Sequence, residues 1–506
     1  MQLQMSVQRE DSSMDGCTDA VARAWSAEEF GAAAGEWQRL LTEHLREVMA
    51  GRTKVLNWSD PQQSAQAAAA WLEHPLAAGP DGVAGGMRQL LQQMLSAGQN
   101  LHHPHYIGHQ VPASSPLAGL LDGAAAITNQ VMAVYEMGPW ATAVEQALVS
   151  RLCGLTGWDP STSSGILTHG GSLANLTALL TARNVVLPQS WRDGVPAGTT
   201  MVANADVHYC ITRAAGILGL GAAAVQKVPL DARRRMDVQR LDDVLIELRR
   251  GNRPVIAVSA CAGATPTGAI DDLSAVADVC RRHEVWMHVD AAHGGSLLFS
   301  RRYRDRLKGI AAADSVVWDA HKMLFVPALC TAVLYRRREV RFETFQQDAP
   351  YLFDPSAPGM ADIDVGMRTV ECTKRATGFG LWGLWALFGA ELFEQLVDRM
   401  LQLTMRFREL LNSEADFEAL HEPECNILAF RHLPAEVRLL SLAEQNRFQR
   451  ELRTQLIREG SFYIVQTTLD GMAALRATVI NPLTTEQDLR DLLTAVRQCG
   501  QRVWNL

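Results

Sequence analysis

Residues 285–295 read VWMHVDAAHGG and residues 315–322 read SVVWDAHK. Each begins as a short apolar run, Val285–Val289 and Ser315–Trp318, and each run stops at an aspartate, Asp290 and Asp319. Neither run leaves a polar face, which predicts strands buried on both sides. Further runs of this kind fall at Gly165–Leu167, Thr200–Ala203, Val255–Ser259 and Thr331–Tyr335. Helical patterns lie between most of them, at Leu173–Arg183, Tyr209–Leu218 and Leu273–Arg282. Strands that alternate with helices predict an α/β fold, a mostly parallel central sheet with helices on both faces. Ligands of such sheets bind outside the carboxyl ends of the strands.

The flanks read differently. Trp37, Leu40, Leu41, Leu45 and Val48 fall near helical spacing, with Gly51 as a stop. Leu76–Gly86 reads as a loop and Met87–Leu95 as a short helix. This leader is expected to lack a good core of its own and to pack on something else, such as a second subunit. From Ala376 the chain begins again with a helix carrying Trp382, Trp385, Leu387 and Phe388, and it ends with a strand at Leu475–Ile480 and a helix after Asn481-Pro482. Thr484 with Gln487 suggests a capping box, and Leu489, Leu492, Leu493 and Val496 give that helix one apolar face. The expected division is a helical N-terminal segment (1–101), a large domain (102–375) and a small α+β domain (376–506).

The composition narrows the function classes. The 506 residues are 47% hydrophobic and 20% charged, an ordinary globular balance. A net charge of −8 with no basic stripe argues against nucleic acid or an anionic membrane as partner. The short arginine runs at 233–235 and 336–338 read as solvated turns. Nine scattered cysteines with no C-x-x-C pair suggest small buried hydrophobes, with neither a disulfide framework nor a metal site. The polar start and the lack of a long unbroken apolar stretch lead us to expect a soluble, cytoplasmic protein.

Chemistry gathers just past the expected strands. Gly170-Gly171-Ser172 opens a helix, where glycines allow close approach and free N–H groups favour a phosphate. A tight structural turn explains these glycines as well. Asp290, at a buried strand end, needs a partner. It reads either as a capped or ion-paired acid or as the anion that keeps a pyridine nitrogen protonated. Lys322 sits between His321 and the apolar run Met323–Pro327, where burial lowers an amine's pKa and leaves it nucleophilic. An ordinary part-buried lysine fits that place too. His208 follows a strand and starts a helix, as a cap or as an aromatic cover over a planar ligand. The constellation carries more weight than any one member.

In their order along the chain these residues resemble the group II decarboxylases that depend on pyridoxal 5′-phosphate (PLP), a family acting on glutamate, aromatic amino acids, cysteine sulfinate and 2,4-diaminobutyrate. The matching motifs are His103-Pro104-His105-Tyr106, Asn129 through Glu145, Thr168–Asn175, His208-Tyr209, Thr265–Asp271, His288–Gly295, His321-Lys322 and Thr373–Arg375 with Leu381-Trp382. The resemblance implies the fold type I architecture and a cofactor bound covalently to Lys322. Asp290 would hold the pyridinium proton, His208 would stack on the ring and Ala292 would lie against its other face. Gly170, Gly171, Ser172 and His321 would hold the phosphate, with Thr265 also at the cofactor. Tyr351 resembles the tyrosine that reprotonates Cα. His105, His109 and Gln110 are candidate substrate contacts, though packed polar residues fit equally.

The sequence departs from the family at Asp319 (usually Asn), Ala320 (commonly Pro) and Leu173 (often Glu). An anion at Asp319 is unfavourable near a phosphate unless it is protonated or turned away. The expected reaction is decarboxylation of an L-amino acid, 2,4-diaminobutyrate or a small acidic one, by a homodimer. The alternatives are a decarboxylating oxidative deaminase (aldehyde synthase), which Tyr351 disfavours, and a non-catalytic PLP-fold subunit, which Lys322, Asp290 and His208 disfavour.

Overall fold

The computed structural model describes residues 19–73, 76, 81–345 and 363–504. The chain divides into two compact units, Met1–His103 and Pro104–Leu506. In the first, Ser26 starts helix Ala27–Met49 by accepting from the Glu29 N–H. Asp60 does the same for Pro61–Ala70, whose proline occupies a position where no N–H is needed. Helix Ala27–Met49 packs on helix Gly82–Ala97. The latter starts well inside the stretch expected as loop, because its Gly/Ala-rich first turn hides a helix from composition.

The second unit holds a seven-stranded sheet. Its strands are β1 (Ser164–Thr168), β2 (Thr200–Asn204), β3 (Val225–Val228), β4 (Val255–Cys261), β5 (Met287–Asp290), β6 (Ser315–Asp319) and β7 (Thr331–Tyr335). They lie in the order β1-β7-β6-β5-β4-β2-β3. All neighbours are parallel except β7, which runs against both β1 and β6. The sheet is therefore mostly parallel, as expected. Only β3 escaped the sequence reading; Gln226 and Lys227 leave this edge strand part-exposed, with no apolar run to mark it. Side chains alternate between two cores. Val316, Trp318, Ala332 and Leu334 enter one, while Val317, Val333 and Tyr335 enter the other. Each such burial contributes about 1.5–3 kcal/mol for a side chain the size of valine or leucine.

This topology sets the carboxyl ends of β1, β2, β4, β5 and β6 along one edge of the sheet. Because β7 is reversed, its first residue joins them. Thr331 is in register with Thr168 on one side and with Asp319 on the other.

A second, antiparallel sheet has the order β8 (Phe417–Ala419), β9 (Ile427–His432), β11 (Met472–Thr478), β10 (Val465–Leu469). The expected strand Leu475–Ile480 thus begins earlier. Helix Leu442–Glu459 packs on β11 and on the last helix, Glu486–Trp504. The capping box also differs from expectation. Thr485 and Asp488 cap that helix, the Asp488 N–H donating to Thr485 Oγ1 and the Thr485 N–H to Asp488 Oδ2. Thr484 instead donates its hydroxyl to the carbonyl of Pro104.

Candidate active site

β1 runs into the turn Thr168-His169-Gly170, whose last residue takes φ +100°. Helix Gly171–Val186 starts there, and its first N–H groups open onto the sheet edge. A Cβ on Gly170 would stand 3.2 Å from the Leu329 side chain, and one on Gly171 would stand 3.1 and 3.2 Å from the Asp319 carboxylate oxygens. Only glycines fit both positions without displacement. Asn175 braces the turn, donating to the Gly171 carbonyl (2.9 Å) and accepting from His288 Nε2 (2.7 Å). Burial presses the His288 pKa down to about 3, so the ring is neutral and its Nδ1 faces Ser315 Oγ at 2.9 Å.

Asp290 closes β5, and its Oδ1 accepts from the Ala292 N–H (3.1 Å). Burial raises its pKa, and the nearby Lys322 ammonium opposes that rise. His208 precedes helix Tyr209–Ile217, and its Nδ1 accepts from the Cys210 N–H (3.3 Å), which leaves Nε2 to carry the proton. Burial lowers its pKa, so the neutral ring predominates; Asp290 works in the other direction. Lys322 Nζ lies 2.9 Å from Asp319 Oδ2. Burial alone would free the amine, but Asp319 and Asp290 outweigh it and hold the ammonium above its ordinary range. His321 is buried, its Nδ1 facing the Cys330 carbonyl at 3.0 Å and the Cys330 N–H at 3.2 Å.

These residues suit pyridoxal phosphate. A helix N-terminus without Cβ atoms at its mouth fits a phosphate, and a buried carboxylate within the field of a part-buried lysine fits a pyridinium and its attachment point. Ala292 is buried next to Asp290, whereas Ser172 stands exposed in the first turn of its helix. The Thr265 carbonyl accepts from Arg476 Nη1 (2.7 Å).

Arg476 was missed by the sequence reading. It lies on β11, is only 7% exposed, and its Nε has no partner among the described residues. Burial lowers its pKa to about 10, so it remains a cation at neutral pH. A lone arginine in an otherwise apolar strand, Met472-Ala473-Ala474-Leu475-Arg476-Ala477, is the signal that marks it.

The three substrate candidates separate. His105 is held by contacts within the fold. It stacks on Phe462 (centroids 3.8 Å apart), with Nε2 at 3.1 Å from Asp488 and Nδ1 at 3.0 Å from the Ser461 carbonyl. His109 lies against Tyr463 at 5.5 Å, and burial followed by Arg476 lowers its pKa. Gln110 has a buried Nε2 with no partner among the described residues. Tyr351 lies outside the described residues.

A family model described as the pyridoxal-dependent decarboxylase conserved domain matches residues 73–433. The acidic amino acid decarboxylase GADL1 of Xenopus tropicalis is 30% identical over 382 residues, 74% of this chain and 74% of the relative. Its Homo sapiens counterpart is 30% identical over 382 residues, 74% of this chain and 73% of that protein. The crystal structure of mouse CSAD superposes with a TM-score of 0.84 at 26% identity, covering 93% of this chain and 99% of that one. Oryza sativa TDC, solved with PLP and tryptamine, shares the fold with a TM-score of 0.86 at 22% identity, covering 94% and 99%. The chain belongs to the pyridoxal-dependent decarboxylase family and is a pyridoxal-phosphate-dependent amino-acid decarboxylase.

Proposed function

We propose that the substrate is a small acidic L-amino acid and that the residues of the sheet edge divide the work as follows. Lys322 Nζ is the attachment point, the N–H groups opened by Gly170, Gly171 and Ser172 hold the phosphate with His321 nearby, and Thr265 borders the cofactor. Asp290 keeps a proton on the pyridine nitrogen, for which its carboxylate must stay ionised; a cationic nitrogen within reach favours that form. His208 covers one ring face and Ala292, small enough to permit contact, the other. Bound pyridoxal phosphate supplies the electron sink for the pair released when the Cα–carboxylate bond breaks. Arg476 holds a substrate carboxylate, and its fixed position orients the bond that must break. Tyr351 is the proposed proton donor to Cα, on the resemblance alone.

The observation that carries this reading is the meeting of Lys322, Asp290 and His208 at one sheet edge, with the buried Arg476 bonded to Thr265 beside them. The acidic preference is supported by the relatives described as acidic amino acid decarboxylases. It is also supported by the buried Arg476 guanidinium, whose hydrogen-bond partner is the Thr265 carbonyl and which has no carboxylate beside it among the described residues. The purified protein, given pyridoxal phosphate and aspartate, glutamate, cysteine sulfinate, 2,4-diaminobutyrate or an aromatic amino acid, should release carbon dioxide and the matching amine from an acidic member. Turnover confined to diaminobutyrate or aromatic substrates refutes the substrate class. Aldehyde with hydrogen peroxide refutes simple decarboxylation.

A homodimer is part of the proposal. Leu117, Leu120, Trp140, Leu387 and Phe388 are exposed on helices Pro116–Ile127, Pro139–Leu155 and Phe379–Ser413, the first and third of which pack together. Such a patch is costly in water and suits a second copy. Sedimentation of a monomer at micromolar concentration would exclude it.

A further inference from the structure

Asp319 is the family departure that the fold puts in the most consequential place. It ends β6 in register with Thr331, is 1% exposed, and accepts from Thr331 Oγ1 at 2.6 Å through Oδ1. Its Oδ2 lies 2.9 Å from Lys322 Nζ and 3.7 Å from His321 Nε2. Both oxygens also crowd Gly171, the first residue of the proposed phosphate-binding helix. One buried carboxylate thus touches the lysine and borders the phosphate turn. Asparagine could keep the hydrogen bonds but not the charge.

We propose that Asp319 is a positioning residue that clamps Lys322 as its ammonium in the cofactor-free enzyme, so that cofactor capture waits on the breaking of this ion pair. The inference rests on Lys322 being the attachment point. Only the neutral amine can react. The ammonium must first give a proton to solvent. Nζ then bonds to the aldehyde carbon, and the aldehyde oxygen leaves as water with the two remaining amine hydrogens. Asp319 opposes the first of these events. After capture it retains Thr331 and His321 as partners.

The electrostatics agree with the geometry. Burial would raise the Asp319 pKa, yet Lys322, His321 and Thr331 together hold it below the ordinary value, so it stays an anion. The other titratable groups that act on the pair are Asp290 at the end of β5, His208 and Cys210 at the start of their helix, and His293 after β5. Asp290 also favours the ammonium, more weakly than Asp319. Neutral His208, Cys210 and His293 do not replace it.

The test mixes cofactor-stripped protein with pyridoxal phosphate and follows the absorbance of lysine-bound cofactor across neutral and mildly alkaline pH. Borohydride reduction and peptide mass analysis then locate the label. Wild-type capture should accelerate about tenfold per pH unit, as the neutral amine does below its pKa. Asp319→Asn should shift the profile to lower pH by at least about one unit, giving roughly tenfold faster capture at neutral pH. Thr331→Val, which removes the hydroxyl that competes with Lys322 for the carboxylate, should shift it the other way. Coincident profiles with Lys322 labelled in every variant overturn the role of Asp319 and leave the attachment reading standing. A label absent from wild-type Lys322 overturns the attachment reading itself. If Asp319→Asn does not fold, an unmoved Thr331→Val profile overturns the inference alone.

Discussion

Glu145→Gln should destabilise the protein by stranding a cation behind the proposed phosphate turn. Lys374 Nζ lies 2.5 Å from Glu145 Oε2 and 2.5 Å from the carbonyl of Leu167, the β1 residue just ahead of Thr168-His169-Gly170. Lys374 and Glu145 are 3% and 4% exposed. Glutamine keeps the shape and one oxygen but removes the charge, and breaking a buried pair from one side costs about 3–5 kcal/mol. The pH dependence has a definite sign. Burial already holds the Lys374 pKa below its ordinary 10.5, with Glu145 pulling it back up. Between the lowered native value and 10.5 the unfolded chain binds more protons than the native one, so stability rises with pH across that window. Loss of Glu145 lowers the native value further and extends the window toward neutrality. Each pH unit inside it returns up to about 1.4 kcal/mol.

Urea unfolding followed by tryptophan fluorescence, at neutral and at mildly alkaline pH, measures both effects. The comparison that isolates the charge is Glu145→Met with Lys374→Met, which strands nothing and should recover much of the loss. Three results would each refute the reasoning: a single variant within about 0.5 kcal/mol of wild type, a double variant as costly as the single, or a loss that ignores pH. Because Lys374, held by Glu145, grips the Leu167 carbonyl, the single variant should also release its cofactor before it unfolds.

Other outcomes follow from the sheet edge. Gly170→Ala puts a Cβ at φ +100° against Leu329; at about 1–3 kcal/mol of strain, cofactor affinity should fall roughly tenfold, and an unchanged titration would count against the phosphate turn. Asp290→Ala should cut the rate of carbon dioxide release by about 100-fold or more, and near-wild-type turnover would remove Asp290 from the mechanism. Arg476→Met should lower kcat/KM for an acidic substrate about 10–100-fold, the value of a charged hydrogen bond; an unchanged kcat/KM would show that Arg476 serves only Thr265.

The central sheet was legible because strands buried on both faces leave long apolar runs between glycines and acids. Gln226 and Lys227 hid the edge strand β3, since half-exposure removes that run. The pairing of Thr485 with Asp488 was legible only in kind. Thr484 and Thr485 both satisfy the local pattern, and the choice was made by the carbonyl of Pro104, remote in sequence. The orientation of His105 is set in the same way. Phe462 and Asp488 decide its orientation, and neither is local. Motif spacing places a residue at the sheet edge, whereas its partners across the fold decide where its polar atoms point.

Burial turns that limit into an argument about the ligand. A charge taken out of water must be matched, or it costs several kcal/mol. At this edge Lys374 is matched by Glu145 and the Leu167 carbonyl, Asp319 by Lys322 and Thr331, and Asp290 by the Ala292 N–H within the field of Lys322. Arg476 is matched only in part. Thr265 takes one of its N–H groups, its Nε has no partner among the described residues, and the amide nitrogen of Gln110 is likewise left over. The guanidinium can only donate, whereas the Gln110 amide can turn to present either its nitrogen or its oxygen. A ligand that offsets the buried guanidinium must bring an acceptor and negative charge. A carboxylate does both. On the proposed role of Arg476, an amino acid with a second carboxylate would keep an anion for this cation, whereas 2,4-diaminobutyrate would bring a second ammonium toward it.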